Sequence, residues 1–257
     1  MSGQLTLTAL PGLPMVRPGD DLTGLVLDGL DRAGLRLAAG DVLVVTQKIV
    51  SKAEGRLVHL TDVSPSAPAV ALAEASGKDP RLAELILRES RRVLRTRPGL
   101  VVVEHRLGFV CANAGIDHSN VRGEGRDAEG WVLLLPENPD RSAQTLRERI
   151  RRQTQVEVGV VIIDSHGRAW RLGTVGVAIG LAGIPGLDDL RGTPDLFGYR
   201  LQSTEVGVAD EIAAAASLLM GQAAEGTPVV HLRGARFSRS DGKLSELLRP
   251  EDEDLFR

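Results

Sequence analysis

The stretch Val156-Glu157-Val158-Gly159-Val160-Val161-Ile162-Ile163-Asp164-Ser165-His166-Gly167-Arg168 decides the class of fold. Its β-branched run over Val156–Ile163 reads as a buried strand that ends at Asp164. Before it, Ser142–Thr154 is strongly charged and reads as a helix, with Ser142 as N-cap. After it, Gly173–Gly186 is apolar and rich in glycine. Val42–Thr46 is a second buried-type strand, entered through the Gly40-Asp41 turn signal. Further out, strands are expected at Leu5–Leu10, Leu100–Glu104 paired with Gly108–Ala112, Trp131–Leu135 and Thr227–Leu232. Helical spacing predicts helices over Asp21–Ala33, about Pro68–Ser76, Asp79–Arg95 and Thr204–Met220, the third stopped by Arg97-Pro98-Gly99. Asn113–Gly125 reads as a polar, glycine-containing loop. Strands and helices are interspersed without clean alternation, which favours a mixed α+β fold over a doubly wound sheet.

The chain has 257 residues, 42% apolar and 25% charged, which excludes a disordered tail, a collagen-like chain and a coiled coil. Neither a repeat nor a low-complexity linker divides it, so residues 1–257 are read as a single catalytic unit. Its longest apolar runs, Val158–Ile163 and Trp131–Leu135, are far too short to span a bilayer. Met1–Leu10 lacks the pattern of a secretory signal, so the expected compartment is the cytoplasm. The net charge of −3, from 31 basic and 34 acidic residues, argues against a nucleic-acid partner. The single cysteine, Cys111, excludes an internal disulfide and a cysteine-rich zinc site and reads as an inert core thiol.

The usual nucleotide and hydrolase signatures are missing: no P-loop, no G-x-G-x-x-G, no H-E-x-x-H and no G-x-S-x-G. What remains are two acidic sites at the ends of apolar strands, Ala112–Asn120 around Asp117 and Val160–Arg168 around Asp164. Two carboxylates aimed at one point by rigid strands make a hard-oxygen site for Mg²⁺ or Mn²⁺. Asn120 and Ser165 add neutral oxygens. Taken singly, each aspartate reads better as an Asx-turn after a strand; it is the two together that point to a metal. Lysine occurs only at positions 48, 52, 78 and 243. Lys48 and Lys52, four apart after Val42–Thr46, share a face and suit phosphate capture, or form a solvated pair. Gly221 reads as the stop of the last helix, exposing Gln222 in a loop. His118 and His166 read as turn or supporting residues rather than ligands.

Gly12-Leu13-Pro14, Thr46-Gln47-Lys48-Ile49-Val50-Ser51-Lys52-Ala53-Glu54-Gly55, Asn113-Ala114-Gly115-Ile116-Asp117-His118-Ser119-Asn120 and Asp164-Ser165-His166-Gly167-Arg168-Ala169-Trp170-Arg171 stand in one order. With them the chain resembles the CofE family, the coenzyme F-420-0:L-glutamate ligases, over nearly its whole length. It also resembles the ligase half of two-part relatives and ends where their nitroreductase-like domain would begin. The resemblance implies a CofE-type α+β fold in an intertwined homodimer. It implies a GTP-dependent ligase of coenzyme F-420 biosynthesis. L-glutamate would be joined to the terminal carboxylate of F-420-0, then added in γ-linkage, through an acyl phosphate. It further implies two divalent ions, Mg²⁺ or Mn²⁺, and K⁺. Carried over position by position, Asp117 and Asp164 are catalytic metal ligands, and Ser165 and Gln222 serve the second metal. Lys52 is catalytic and contacts GTP, with Leu13, Pro14, Met15, Val16, Gln47, Asn120 and Gln222 also at the nucleotide. Met15 stands where an acidic residue is frequent in the family, so a backbone role is implied there. The alternatives are a non-catalytic nucleotide- or deazaflavin-binding protein and a related ligase for another acid.

Overall fold

The computed structural model describes residues 3–123, 130–237 and 240–255. Strand β1 (Thr6–Ala9) is followed by helix α1 (Leu22–Arg32), β2 (Val42–Thr46), α2 (Gln47–Ala53) and β3 (Leu57–His59). Then come α3 (Ala67–Ser76), α4 (Pro80–Arg88), β4 (Ser90–Arg97), β5 (Leu100–His105), β6 (Val110–Ala112) and β7 (Trp131–Leu133). The second half holds α5 (Pro139–Thr154), β8 (Gly159–Arg168), β9 (Arg171–Ala182), β10 (Asp188–Asp189), β11 (Glu205–Val206), α6 (Val208–Met220) and β12 (Val229–Arg233). This is a mixed α+β fold, as expected.

The central sheet has the order β1-β12-β2-β8-β9. Its one parallel pair is β2 with β8; every other pairing is antiparallel. Alternate residues of β2 and β8 enter two separate cores. Leu43, Val45, Val160 and Ile162 pack with α1 and α5, whereas Val42, Val44, Val161 and Ile163 pack with α6. Cover on both faces explains why these strands read as unbroken apolar runs. The flanking helices lie close because β9 carries glycine where they cross it. A Cβ at Gly180 would stand 2.4 Å from the Pro139 carbonyl carbon, and one at Gly176 2.7 Å from the Ala213 oxygen. Gly176 and Gly180 are thus contact points of a strand.

Four expectations need correction. The helix predicted over Asp79–Arg95 ends at Arg88, and the chain turns into β4. The apolar strand β5 needs a partner, and antiparallel pairing with β4 overrides helical periodicity there. Arg97-Pro98-Gly99 is therefore a β4–β5 turn, with Gly99 at φ 80°. Ser142 is not the cap of α5. The helix starts at Pro139, whose fixed φ suits the first position, and Asn138 caps it by accepting from the Arg141 N–H at 3.0 Å. The Ser142 hydroxyl instead donates to Glu54. The last long helix begins at Val208 rather than Thr204, because Glu205–Val206 pairs with β10. Finally, β8 does not end at Asp164. Its hairpin with β9 carries it to Arg168, with Asp164 opposite Val177. Asp164 nevertheless lies just past the last residue pair of β2 and β8, Thr46–Ile163, at the carboxyl edge of that pair. The expected polar loop is described as far as residue 123; Gly125 lies outside the described residues.

Cys111 is buried, and burial pushes its thiol up to about 12, in keeping with an inert core group. No described helix is long and apolar enough to cross a membrane.

A buried ion network closes the junction between α4 and β4. Glu89 accepts from Arg56 Nη2 at 2.9 Å and from Arg106 Nε at 2.8 Å. Burial would raise its pKa, but the nearby His105 ring, the hydrogen bond from Arg106 and the charges of Arg56 and Arg106 outweigh that and hold it down to about 2. A depressed carboxylate stabilises the fold above its unfolded pKa, and that contribution is lost as pH falls through the folded one. The window here runs from 4.5 down to about 2. Across it the wild type is expected to lose about 3 kcal/mol that a Glu89→Gln variant does not, at 1.4 kcal/mol per pK unit. Urea unfolding of both proteins at a series of pH values checks this; parallel pH curves would refute it.

Candidate functional site

The site is assembled where β2 runs directly into α2. Because α2 is helical, Lys48 and Lys52 lie one turn apart on one face, with Gln47 beside them. All three line a cavity of about 350 Å³, within the range of small-molecule sites. Its other walls are the loop Leu13–Val16, Asn120, the β8 residues Ile163–Ser165, and the turn from Met220 to Pro228 that follows α6. Thus Leu13, Pro14, Met15, Val16, Gln47, Lys52, Asn120, Asp164, Ser165 and Gln222 are brought to one cavity from five separate segments. Asp117 stands behind that wall and reaches it through Gln47 and Lys48.

Each polar group is held. Asp117 is bound by its backbone to Leu133 through two 2.9 Å hydrogen bonds. Its Oδ2 accepts from Gln47 Nε2 at 2.5 Å and pairs with the Lys48 ammonium. Gln47 is itself fixed by the Ser51 hydroxyl, which donates to its Oε1 at 2.9 Å. Lys52 is only 7% exposed and donates to the Asn120 carbonyl at 2.8 Å. Asn120, in the left-handed region at φ 57°, donates its Nδ2 to the Ala223 carbonyl at 2.7 Å. The Ser165 hydroxyl donates to Gln222 Oε1 at 2.9 Å. Asp164 is hydrogen-bonded with His166 Nε2 at 3.1 Å.

The charges are unevenly poised. Burial pushes the Asp117 carboxyl up; Lys48 pulls it down, and the neighbouring charge of Asp164 raises it further. Burial alone would raise Asp164 too, but the hydrogen bond and charge of His166 hold it below the usual range. Burial, with the charge of Lys48, lowers the pKa of Lys52. Among the described residues no group of three or more His, Cys, Asp or Glu side chains converges. The donor set is instead two mutually repelling carboxylates with a hydroxyl and an amide oxygen beside them. Oxygen donors of that kind fit Mg²⁺ or Mn²⁺ and not a thiolate-seeking metal.

Sequence reasoning paired Lys48 with Lys52 for phosphate capture or as a solvated pair, but the family resemblance carried no role onto Lys48, and its pairing with Asp117 was not foreseen. His166 takes the supporting position expected of it, on Asp164. Thr46, Ile49, Ser217, Glu225, Thr227 and Pro228 also line the cavity. Thr46 and Ile49 belong to the motif that carries Gln47 and Lys52 but were given no role, and only the fold brings Ser217, Glu225, Thr227 and Pro228 there.

The family model described as F420-0:Gamma-glutamyl ligase matches residues 12–234. A coenzyme F420:L-glutamate ligase of Methanothermobacter thermautotrophicus is 46% identical over 255 residues, covering 98% of this chain and 99% of the relative. The protein of that name from Methanopyrus kandleri is 46% identical over 264 residues, with both chains covered completely. That from Archaeoglobus fulgidus is 44% identical over 246 residues, covering 96% of this chain and 94% of its own. The matched span includes every residue of the cavity, and the chain belongs to the F420-0:gamma-glutamyl ligase family.

Proposed function

We propose that this chain is a GTP-dependent ligase acting in the cytoplasm, in coenzyme F-420 biosynthesis. It joins L-glutamate to the terminal carboxylate of F-420-0 and then extends the product in γ-linkage. The observation that carries this reading is the cavity itself. Two lysines on one helical face stand beside two carboxylates and their neutral oxygens, in a family whose relatives bear that ligase name.

An ionised carboxylate does not react with an amine at a useful rate. Transfer of the γ-phosphoryl group to a carboxylate oxygen, with release of GDP, makes an acyl phosphate. The glutamate nitrogen then attacks the acyl carbon, and phosphate departs with the electron pair of the broken C–O bond. Lys52, fixed by Asn120, provides a point charge for a nucleotide phosphate. Asn120 ties that lysine to the turn after α6, so the two walls of the cavity hold the nucleotide together. Leu13–Val16 and Met220 supply apolar cover for the base. Asp117, Asp164, Ser165 and Gln222 would hold two divalent ions, which when bound neutralise charge on the transferring phosphoryl group. K⁺ is the third cation of this reading.

The acting form in this proposal is a homodimer. Trp170, Leu172, Leu196 and Phe197 are 88–98% exposed on the β8–β9 turn and the segment before β11, and a second copy would cover them.

Incubation with F-420-0, GTP, Mn²⁺ and L-glutamate tests the reading. Mass spectrometry should show product heavier by one glutamate residue, then by further ones. With ¹⁸O in the acceptor carboxylate, the released phosphate should carry label. Unlabelled phosphate with product forming would exclude the acyl phosphate. No mass gain with nucleotide bound would leave a binding protein.

A further inference from the structure

Lys48 and Lys52 share one face of α2 but are held in different ways. Lys52 is buried and donates to a backbone carbonyl. Lys48 is 28% exposed, and its partner is the Asp117 carboxylate, itself 24% exposed. Lys48 lines the cavity, whereas Asp117 does not. Lys48 therefore links the cavity wall to the carboxylate. Gln47 donates to the same Oδ2 that Lys48 engages. One oxygen of a carboxylate read as a cation ligand thus already carries a cation and a neutral donor. A lysine head on a flexible four-carbon stem can leave such a place without disturbing the helix that bears it. Gln47 is braced by Ser51 and cannot leave as freely.

We propose that Lys48 is the resident counter-cation of the Asp117–Asp164 pair: it neutralises Asp117 while no divalent ion is bound, and an entering ion displaces it into the cavity. This rests on the reading of Asp117 and Asp164 as metal ligands. Two carboxylates that feel each other's charge are costly to leave without a cation, and Lys48 supplies one from within the chain. Once displaced, its ammonium lies in the cavity that Lys52 also lines, where a phosphate group is the partner available to it. Entry of the ion and capture of phosphate become linked through one side chain, and linkage of this kind is reciprocal.

The test is the binding of Mn²⁺ alone, without nucleotide, followed by electron paramagnetic resonance. Wild type is compared with Lys48→Met, Lys48→Gln, Lys48→Arg and Asp117→Asn. Removing the competing ammonium should tighten Mn²⁺ roughly five- to ten-fold in both neutral variants, the size expected of an ion pair that is mostly buried. Lys48→Arg, which keeps the charge, should stay near wild type. Unfolding midpoints of all variants accompany the binding curves, and the two neutral replacements provide the reading twice. Mn²⁺ binding that depends on Asp117 but is equal or weaker in the neutral variants would overturn the role of Lys48 alone. Wild type that binds no Mn²⁺, or binds it unchanged in Asp117→Asn, would overturn the metal reading and this inference together.

Discussion

Asp164→Ala is expected to lower the ligation rate by about a thousandfold or more, with an unfolding midpoint close to wild type. A carboxylate holding a divalent ion at a transferring phosphoryl group supplies several kcal/mol of charge stabilisation, and each 1.36 kcal/mol is tenfold in rate. The loss should be confined to chemistry because of where the side chain stands. It lines the cavity rather than the apolar core, and its side chain is hydrogen-bonded with His166. Its charge also raises the pKa of Asp117, so removing it relieves a repulsion. Asp164→Asn keeps the size and should lose nearly as much activity. Asp117→Ala should be equally inactive, but it also strips a partner from Lys48 and Gln47 and so should cost some stability. Steady-state kinetics with Mn²⁺ and thermal unfolding of each variant make the comparison. Ordinary turnover in Asp164→Ala would remove the residue from the chemistry.

Lys52→Ala is expected to raise KM for GTP by about ten- to a hundredfold. Charge-assisted hydrogen bonds contribute about 1.5–3 kcal/mol, and 1.4 kcal/mol is a factor of ten. A fall in kcat as well would mean that the contact tightens on the transferring group. The native Lys52 is already desolvated and directed at the Asn120 carbonyl, so little reorganisation precedes phosphate binding. Lys78, which lies between α3 and α4 and away from the cavity, is the control. Initial rates over a range of GTP concentrations for Lys52→Ala and Lys78→Ala decide the matter. Equal, small effects at the two positions would take Lys52 out of nucleotide binding and leave it only its bond to the Asn120 carbonyl.

Much of the cavity was legible because its residues sit in short local patterns. Lys48 and Lys52 follow the β2 run, and Asp164 and Ser165 follow the apolar run of β8, whereas Leu13–Val16 and Gln47 were reached only through the family resemblance. Gln222 was legible for another reason: Gly221 ends α6 and leaves it in the turn. Illegible were the contacts that depend on distant partners. Nothing near Lys52 in the chain announces that it reaches Asn120, 68 positions away, or that Asn120 reaches Ala223, 103 positions further on. The Lys48–Asp117 pair is of the same kind. His166 could be placed beside Asp164 because a bond across two residues is local.

The same division runs through the fold. Period and composition sufficed for β2, for the apolar run of β8 and for α1, whose cap Asp21 accepts from the N–H groups of Thr23 and Gly24 at 3.2 Å. These depend on burial of a continuous face or on a bond within one turn, and both are written in neighbouring residues. Residues 89–97 were different. Their arginines and leucine favour a helix, yet Ser90–Arg97 form β4, because β5 exposes an unpaired edge and Glu89 is claimed by Arg56 and Arg106. The continuation of β8 past Asp164 was decided the same way, by the partner strand β9 and the glycines that let α5 and α6 approach it. Local sequence therefore determined which segments are apolar, charged or capped. The hairpin with β9 determined where β8 ends, and pairing of β8 with the distant β2 brought Asp164 to the cavity that Lys48 and Lys52 line, since the free energy of such pairing comes from contacts that do not exist until the chain has closed.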